Sequence, residues 1–148
     1  MNDMAEFTYN DVQTVSYGQI VALNTAIGCN KGYVIHRNGS GIVTLRGIVN
    51  NPCSNFARYR CQVNANIALP TGETVGEIGI ALAINGEAVQ TSLAVVTPAA
   101  VEQYGNVTSF AIIDVPKGCC ENISIENASA DSQDILVRNA NFEVTRIA

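Results

Sequence analysis

An antiparallel β-sandwich is the fold class this sequence predicts, and three observations predict it. Period-two alternation and β-branched residues dominate, with no sustained helical repeat of apolar positions. Turn signals at Pro70-Thr71-Gly72, Asn85-Gly86 and Pro116-Lys117-Gly118 separate those runs. Hydrophobic residues make up 47% and charged residues only 14%, which supplies a core and excludes intrinsic disorder. The expectation is an all-β, antiparallel two-sheet jelly-roll sandwich of nine or ten strands.

Met1 to Asp11 is polar and acidic and is read as an N-terminal arm, leaving 12–148 as a single domain. The first strand is expected over Val12 to Leu23, with a bend at Tyr17-Gly18. Short strands follow at Tyr33 to Arg37 and at Gly41 to Val49. In the latter, Val43 and Leu45 face one way and Ile42, Thr44 and Arg46 the other. Arg58 to Leu69 sets Tyr59, Cys61, Val63, Ala65 and Ile67 against Arg60, Gln62, Asn64 and Asn66, a strand with one wet side. Glu77 to Asn85 alternates Ile78, Ile80, Leu82 and Ile84 with Gly79, Ala81 and Ala83, so it is covered on both faces. Its small face admits the close approach of another backbone. Asn85-Gly86 is a type I′ hairpin signal leading into Glu87 to Val96. Pro98 to Tyr104 is a loop or a short helical turn. Asn106 to Val115 and Cys120 to Asn127 are strands, the second with Ile123 and Ile125 inward. After a polar loop at Asn127 to Asp134, Ile135 to Ile147 is a long last strand with Leu136, Ala140, Phe142 and Val144 on one face.

Net charge is -5, distributed unevenly: -3 over residues 1–11, +5 over 12–72 and -7 over 73–148. A basic and an acidic half can attract each other across a subunit interface, or stand as two solvated faces. Nucleic-acid binding is disfavoured, because no dense Lys/Arg cluster is present to neutralise phosphates. The longest apolar runs fall short of the roughly 20 residues of a spanning helix, and no basic-then-apolar leader precedes them. No membrane or secretory role is expected on this reading.

The chemically loaded residues point away from catalysis. His36 stands alone, and Ser40 in Asn38-Gly39-Ser40-Gly41 is no nucleophile elbow, so a Ser-His or Cys-His site is not expected. The five cysteines are spaced by 24, 8, 58 and 1 residues, unlike zinc knuckles. Cys53 and Cys61 would close the easiest disulfide loop, while buried free thiols remain the plainer reading. Asp131 and Asp134 lack the spacing of a calcium loop, so no metal or cofactor is expected. Asn38, Asn106, Asn122 and Asn127 head Asn-x-Ser/Thr sequons, which matter only in a eukaryotic secretory pathway. Sugar stacking would rest on Tyr9, Tyr17 and Tyr104 alone, because there is no Trp.

The region from Arg58 to Ala148 resembles the jelly-roll heads of the tumour-necrosis-factor and complement-globular-head superfamily. The resemblance rests on the Tyr59 to Gly72 strand and turn, the Ile78 to Glu87 hairpin, and Val115-Pro-Lys-Gly118. It continues through Asn122 to Asn127 and the final Asn141 to Ala148 strand. It is nearest to bacterial and phage versions at the tips of spore-surface and tail-fibre proteins, here without a Gly-X-Y stalk. The resemblance implies a homotrimer with its termini near one end, and no enzyme. The function expected is a non-enzymatic display protein of a phage virion, as a head-decoration or fibre component contacting capsid proteins. A trimeric receptor- or glycan-binding head for a host surface ligand is the alternative.

Three strands, Ile78 to Ile84, Phe110 to Val115 and Phe142 to Ile147, carry more apolar side chains than one sandwich interior uses. The surplus points to a subunit contact. Phe110, Ile112, Phe142 and Val144 are the expected trimer interface.

Overall fold

The computed structural model describes residues 4–27, 34–37, 39–47, 55–118 and 120–147. Among these, twelve strands and one 3-10 turn form two six-stranded antiparallel sheets. The first sheet contains β1 (Met4–Tyr9), β2 (Gln13–Val15), β3 (Thr25–Ile27), β6 (Phe56–Ala68), β10 (Gly105–Pro116) and β12 (Ile135–Arg146). Its order is β10-β6-β12-β1-β3, with β2 continuing beside β12. The second contains β4 (Val34–His36), β5 (Val43–Arg46), β7 (Ile78–Ile84), β8 (Glu87–Ala88), β9 (Ala94–Val96) and β11 (Cys120–Asn127). Its order is β4-β5-β11-β7-β8, with β9 also on β7. The two-sheet jelly roll expected from the alternation is therefore the observed architecture.

The inner faces interdigitate as their periodicity dictates. Tyr59, Cys61, Val63, Ala65 and Ile67 of β6 are all buried, opposite Val43, Leu45, Ile80, Leu82, Ile123 and Ile125 of the second sheet. The Tyr59 hydroxyl reaches across and donates to the Arg46 carbonyl at 2.6 Å. β7 is covered on both sides: Ala81 and Ala83 are as buried as Ile80 and Leu82. Its small face does admit other backbone. A Cβ on Gly79 would lie 2.8 Å from the Ala94 carbonyl oxygen, and the Ala128 N–H donates to the Gly79 carbonyl. The hairpin turn is as expected, with φ of 52° at Asn85 and 87° at Gly86.

Four boundaries differ from the sequence reading. Residues 4–9 are no arm but the strand β1, paired with β12 over six positions and burying Phe7 completely. Only Gln13–Val15 of the expected first strand is regular; residues 18–21 instead follow β11, bonded at Gly18, Val21 and the Ile20–Glu126 bridge. The single strand expected after Gly86 is split by the 3-10 turn Gln90–Ser92. There the Ser92 hydroxyl takes the place of a backbone group, accepting from Leu82 N–H at 3.0 Å and donating to the Val89 carbonyl at 2.6 Å. Finally, β12 carries a bulge between Arg138 and Asn141, with Asn139 at φ 56°. One extra residue shifts the face. Ile135 and Val137, not Leu136, therefore share the inward side with Ala140, Phe142 and Val144.

Asn127, at the far end of β11, has its buried amide satisfied locally, while Gln133 Oε1 beside it has no hydrogen-bond partner among the described residues. Asn127 donates from Nδ2 to the carbonyls of Val15 and Gln133 and accepts from the Ser129 N–H and hydroxyl, stapling the polar loop to β2. This asparagine heads a sequon but is wholly buried, so its role here is structural.

Candidate self-association face

The strand β10 pairs with β6 along its whole length, and alternation fixes what it shows to solvent. Val107, Ser109, Ile113 and Val115 point inward and are buried. Phe110 and Ile112 point outward and are 64% and 57% exposed. Their cross-strand neighbours are Gln62 and Arg60, both already assigned by the sequence to the wet side of β6. Phe56 and Met4, also exposed, extend the apolar area on this outer face. Phe142 and Val144 are a correction: both are 0% exposed inside the sandwich and cannot reach another chain. Of the four residues expected at a subunit contact, the fold brings Phe110 and Ile112 together on one surface and sends the other two to the core.

The rest of the face is polar and ordered. Asp114 sits opposite Arg58 and pairs with it twice, at 2.8 Å through Nε and 3.1 Å through Nη2. That hydrogen-bonded guanidinium holds the Asp114 carboxyl below its usual range. The Phe56 ring stacks under the same guanidinium, 4.9 Å from its carbon. Towards the other end, Asn106 donates to Asn64 and Asn66 at 2.9 and 3.1 Å, and Thr108 donates to Asn64 at 2.8 Å. A sheet face that exposes two large apolar side chains beside hydrogen-bonded polar groups at both ends of β10 suits burial against another surface.

The other sequence candidates do not converge on a reaction centre. His36 Nε2 lies 2.7 Å from the Ser40 carbonyl oxygen, not its hydroxyl, which instead accepts from Ile42 N–H at 3.0 Å. The imidazole packs 4.6 Å from the Phe7 ring. Cys61 is a free, buried thiol whose burial pushes its pKa up to about 12, the reverse of an activated nucleophile. Cys53 lies outside the described residues, as do Cys29, Cys119 and Asn38. Cys120 is exposed and free. Among the described residues no group of three His, Cys, Asp or Glu side chains gathers for a metal. No helix among them is long and apolar enough to cross a membrane. Tyr104 lies under the Arg138 guanidinium at 4.9 Å rather than presenting a free ring. One feature escaped the sequence reading: a depression of about 330 Å³ on the second sheet, lined by Ile20, Ile42, Asn85, Gly86, Asn122 and Ser124. It forms only because residues 18–21 run beside β11, a placement that no local pattern announces.

Solved structures share this arrangement over nearly the whole chain. The globular domain of the zebrafish complement 1qA protein superposes with a TM-score of 0.62 at 15% identity, covering 96% of this chain and 94% of that one. Eiger, a TNF from S. frugiperda, gives 0.69 at 10% identity, covering 99% and 93%. Murine APRIL at pH 5.0 gives 0.66 at 8% identity, covering 99% and 100%. The fold is a TNF/C1q-like jelly roll. No protein-family model and no curated protein matches the chain, so the likeness is one of fold. The bacterial and phage affinity expected from sequence gains no support from these three structures.

Proposed function

We propose that this chain is a non-enzymatic structural head that assembles as a homotrimer through the outer face of the first sheet. The observation that carries the reading is the exposure of Phe110 and Ile112 side by side on that face. At about 25 cal/mol per Å² of apolar area removed from water, covering such side chains favours association over solvation. The TNF/C1q-like fold supports the same assembly through the resemblance already described. Within that reading the head serves as a display component of a larger particle, of the phage head-decoration or fibre type, with capsid proteins as further partners. Because residues 4–9 are a sheet strand, they are not themselves a free docking arm for such a particle.

A second reading, a head that binds a host receptor or glycan, draws on the depression beside Asn85-Gly86. Light scattering decides the first: a mass near three times 15.7 kDa is expected at micromolar concentration. Phe110→Glu should reduce it to the protomer. A concentration-independent mass of 15.7 kDa for the unmodified chain refutes the assembly. Binding of the trimer to a glycan array, lost on Ile42→Glu, would favour the second reading.

A further inference from the structure

The outer face of the first sheet holds an unresolved charge problem that a second copy would solve. Glu6 on β1 and Glu143 on β12 are directly opposite in the antiparallel register. Directly opposed side chains stand about 5 Å apart at Cβ, and like charges there destabilise the pair. Both residues are half-buried, and neither has an ion pair among the described residues. Glu143 accepts only a long 3.5 Å hydrogen bond from Thr145. On the same face, Arg60 of β6 is exposed and has no ion pair among the described residues, whereas Arg58 two residues earlier is engaged by Asp114. Arg60 lies directly opposite Ile112, at the apolar patch itself.

A threefold ring joins two different patches of neighbouring copies, because a heterologous interface does not match a surface to itself. Here the β10–β6 side of the face is apolar and basic, with Phe110, Ile112 and Arg60. The β12–β1 side carries the two carboxylates and Met4. We propose that in the assembled head Arg60 of one copy pairs with the Glu6–Glu143 carboxylates of the next, fixing the register in which the apolar patches meet. The inference rests on the trimer reading above. It also gives a place to the sequence's split into a basic and an acidic part: Arg60 comes from the first and Glu143 from the second. Closing the ring sets one guanidinium between two carboxylates, relieving their repulsion and giving Arg60 a partner, and charge complementarity of this kind sets orientation as well as affinity.

The test compares the unmodified chain with Arg60→Glu, with Glu6→Lys/Glu143→Lys, and with all three changes combined. Sedimentation gives the trimer dissociation constant, and circular dichroism gives the fold of each protomer. Each partial reversal should weaken assembly by about tenfold or more, and the combined reversal should restore it to within about threefold. A trimeric unmodified chain whose assembly neither reversal weakens overturns the pairing and leaves the trimer reading intact. Weakening by both without rescue in combination overturns it equally. An unmodified chain that is monomeric overturns the trimer reading first and the pairing with it. Should a reversal fail to fold, Arg60→Gln and Glu143→Gln serve instead. Raising sodium chloride from 0.05 to 1 M should then weaken the unmodified trimer more than either variant, and equal salt dependence overturns the pairing.

Discussion

Tyr59 in the first sheet and Arg46 in the second are joined by the 2.6 Å hydrogen bond from the tyrosine hydroxyl to the arginine carbonyl oxygen. The ring is completely buried, so a core aromatic also sets the spacing of the two sheets at the end of β5. Tyr59→Phe keeps the ring and leaves the carbonyl without this donor. A loss of about 1–2 kcal/mol is expected in urea denaturation at fixed protein concentration. A change below about 0.3 kcal/mol would mean that the link contributes nothing net.

Phe110 and Phe142 provide a matched pair with opposite expectations. Phe142→Ala opens a cavity among fully buried side chains and should cost about 3–5 kcal/mol of folding stability. Phe110→Ala removes an exposed ring and should leave the protomer's circular dichroism unchanged while shifting the sedimentation equilibrium toward monomer. Reversal of the two phenotypes would mean that the β10 and β12 faces are misassigned.

Cys61 makes stability depend on pH in the alkaline range. Burial raises its pKa from 9.0 to about 12, so the folded chain keeps a proton that the unfolded chain releases. Below about pH 8 both states are protonated and the thiol adds no slope. From 9.0 towards 12 the unfolded state is favoured, and stability falls by up to about 1.4 kcal/mol per pH unit. Cys61→Ala should remove that part of the slope, read as the difference between the two denaturation series. In native chain, a thiol reagent should label exposed Cys120 and spare Cys61.

Gly86 and Gly79 should respond differently to alanine. At Gly86 nothing lies within 4 Å of an added Cβ, so the cost is the left-handed backbone alone, about 1–2 kcal/mol. At Gly79 the added carbon would meet the Ala94 carbonyl at 2.8 Å and the Val95 side chain at 2.9 Å. Gly79→Ala should therefore destabilise more than Gly86→Ala in thermal melts; the reverse order would contradict the close packing of β9 on β7.

What was legible in the sequence was whatever local alternation decides. Tyr59 to Ile67 and Val43 to Leu45 went to the core because polar neighbours marked the other face. In β10 the expected outward pair, Phe110 and Ile112, is as apolar as Ile113 and Val115, and pairing with β6 leaves the first two exposed and the second two buried. The phase of β12 was hidden by a bulge at Asn139, where a left-handed residue leaves no compositional trace beyond an asparagine. β1 reads as an arm in sequence because Asp3, Glu6 and Asp11 mask the alternation of Ala5 and Phe7. The apolar surplus and its β10 half, Phe110 and Ile112, are thus readable in sequence, whereas the β12 half, Phe142 and Val144, goes to the core. The carboxylate pair Glu6–Glu143 depends on partners 137 positions apart, which no window of sequence brings together.

The placement of β12 between β6 and β1 bears on how the chain is made. During translation β1 emerges before the other strands of its sheet, yet β12, which holds Phe7 against Phe142, emerges after all of them. Until Ile135–Arg146 is released, β6 and β1 each have an open hydrogen-bonding edge and Phe7 has no cross-strand partner from β12. The first sheet therefore closes only once Ile135–Arg146 has emerged, in a step dominated by distant contacts and correspondingly slow. A nascent chain stalled before Ile135 exposes the same unpaired edges to its neighbours on a polysome, where strand-to-strand aggregation competes with completion of the sandwich.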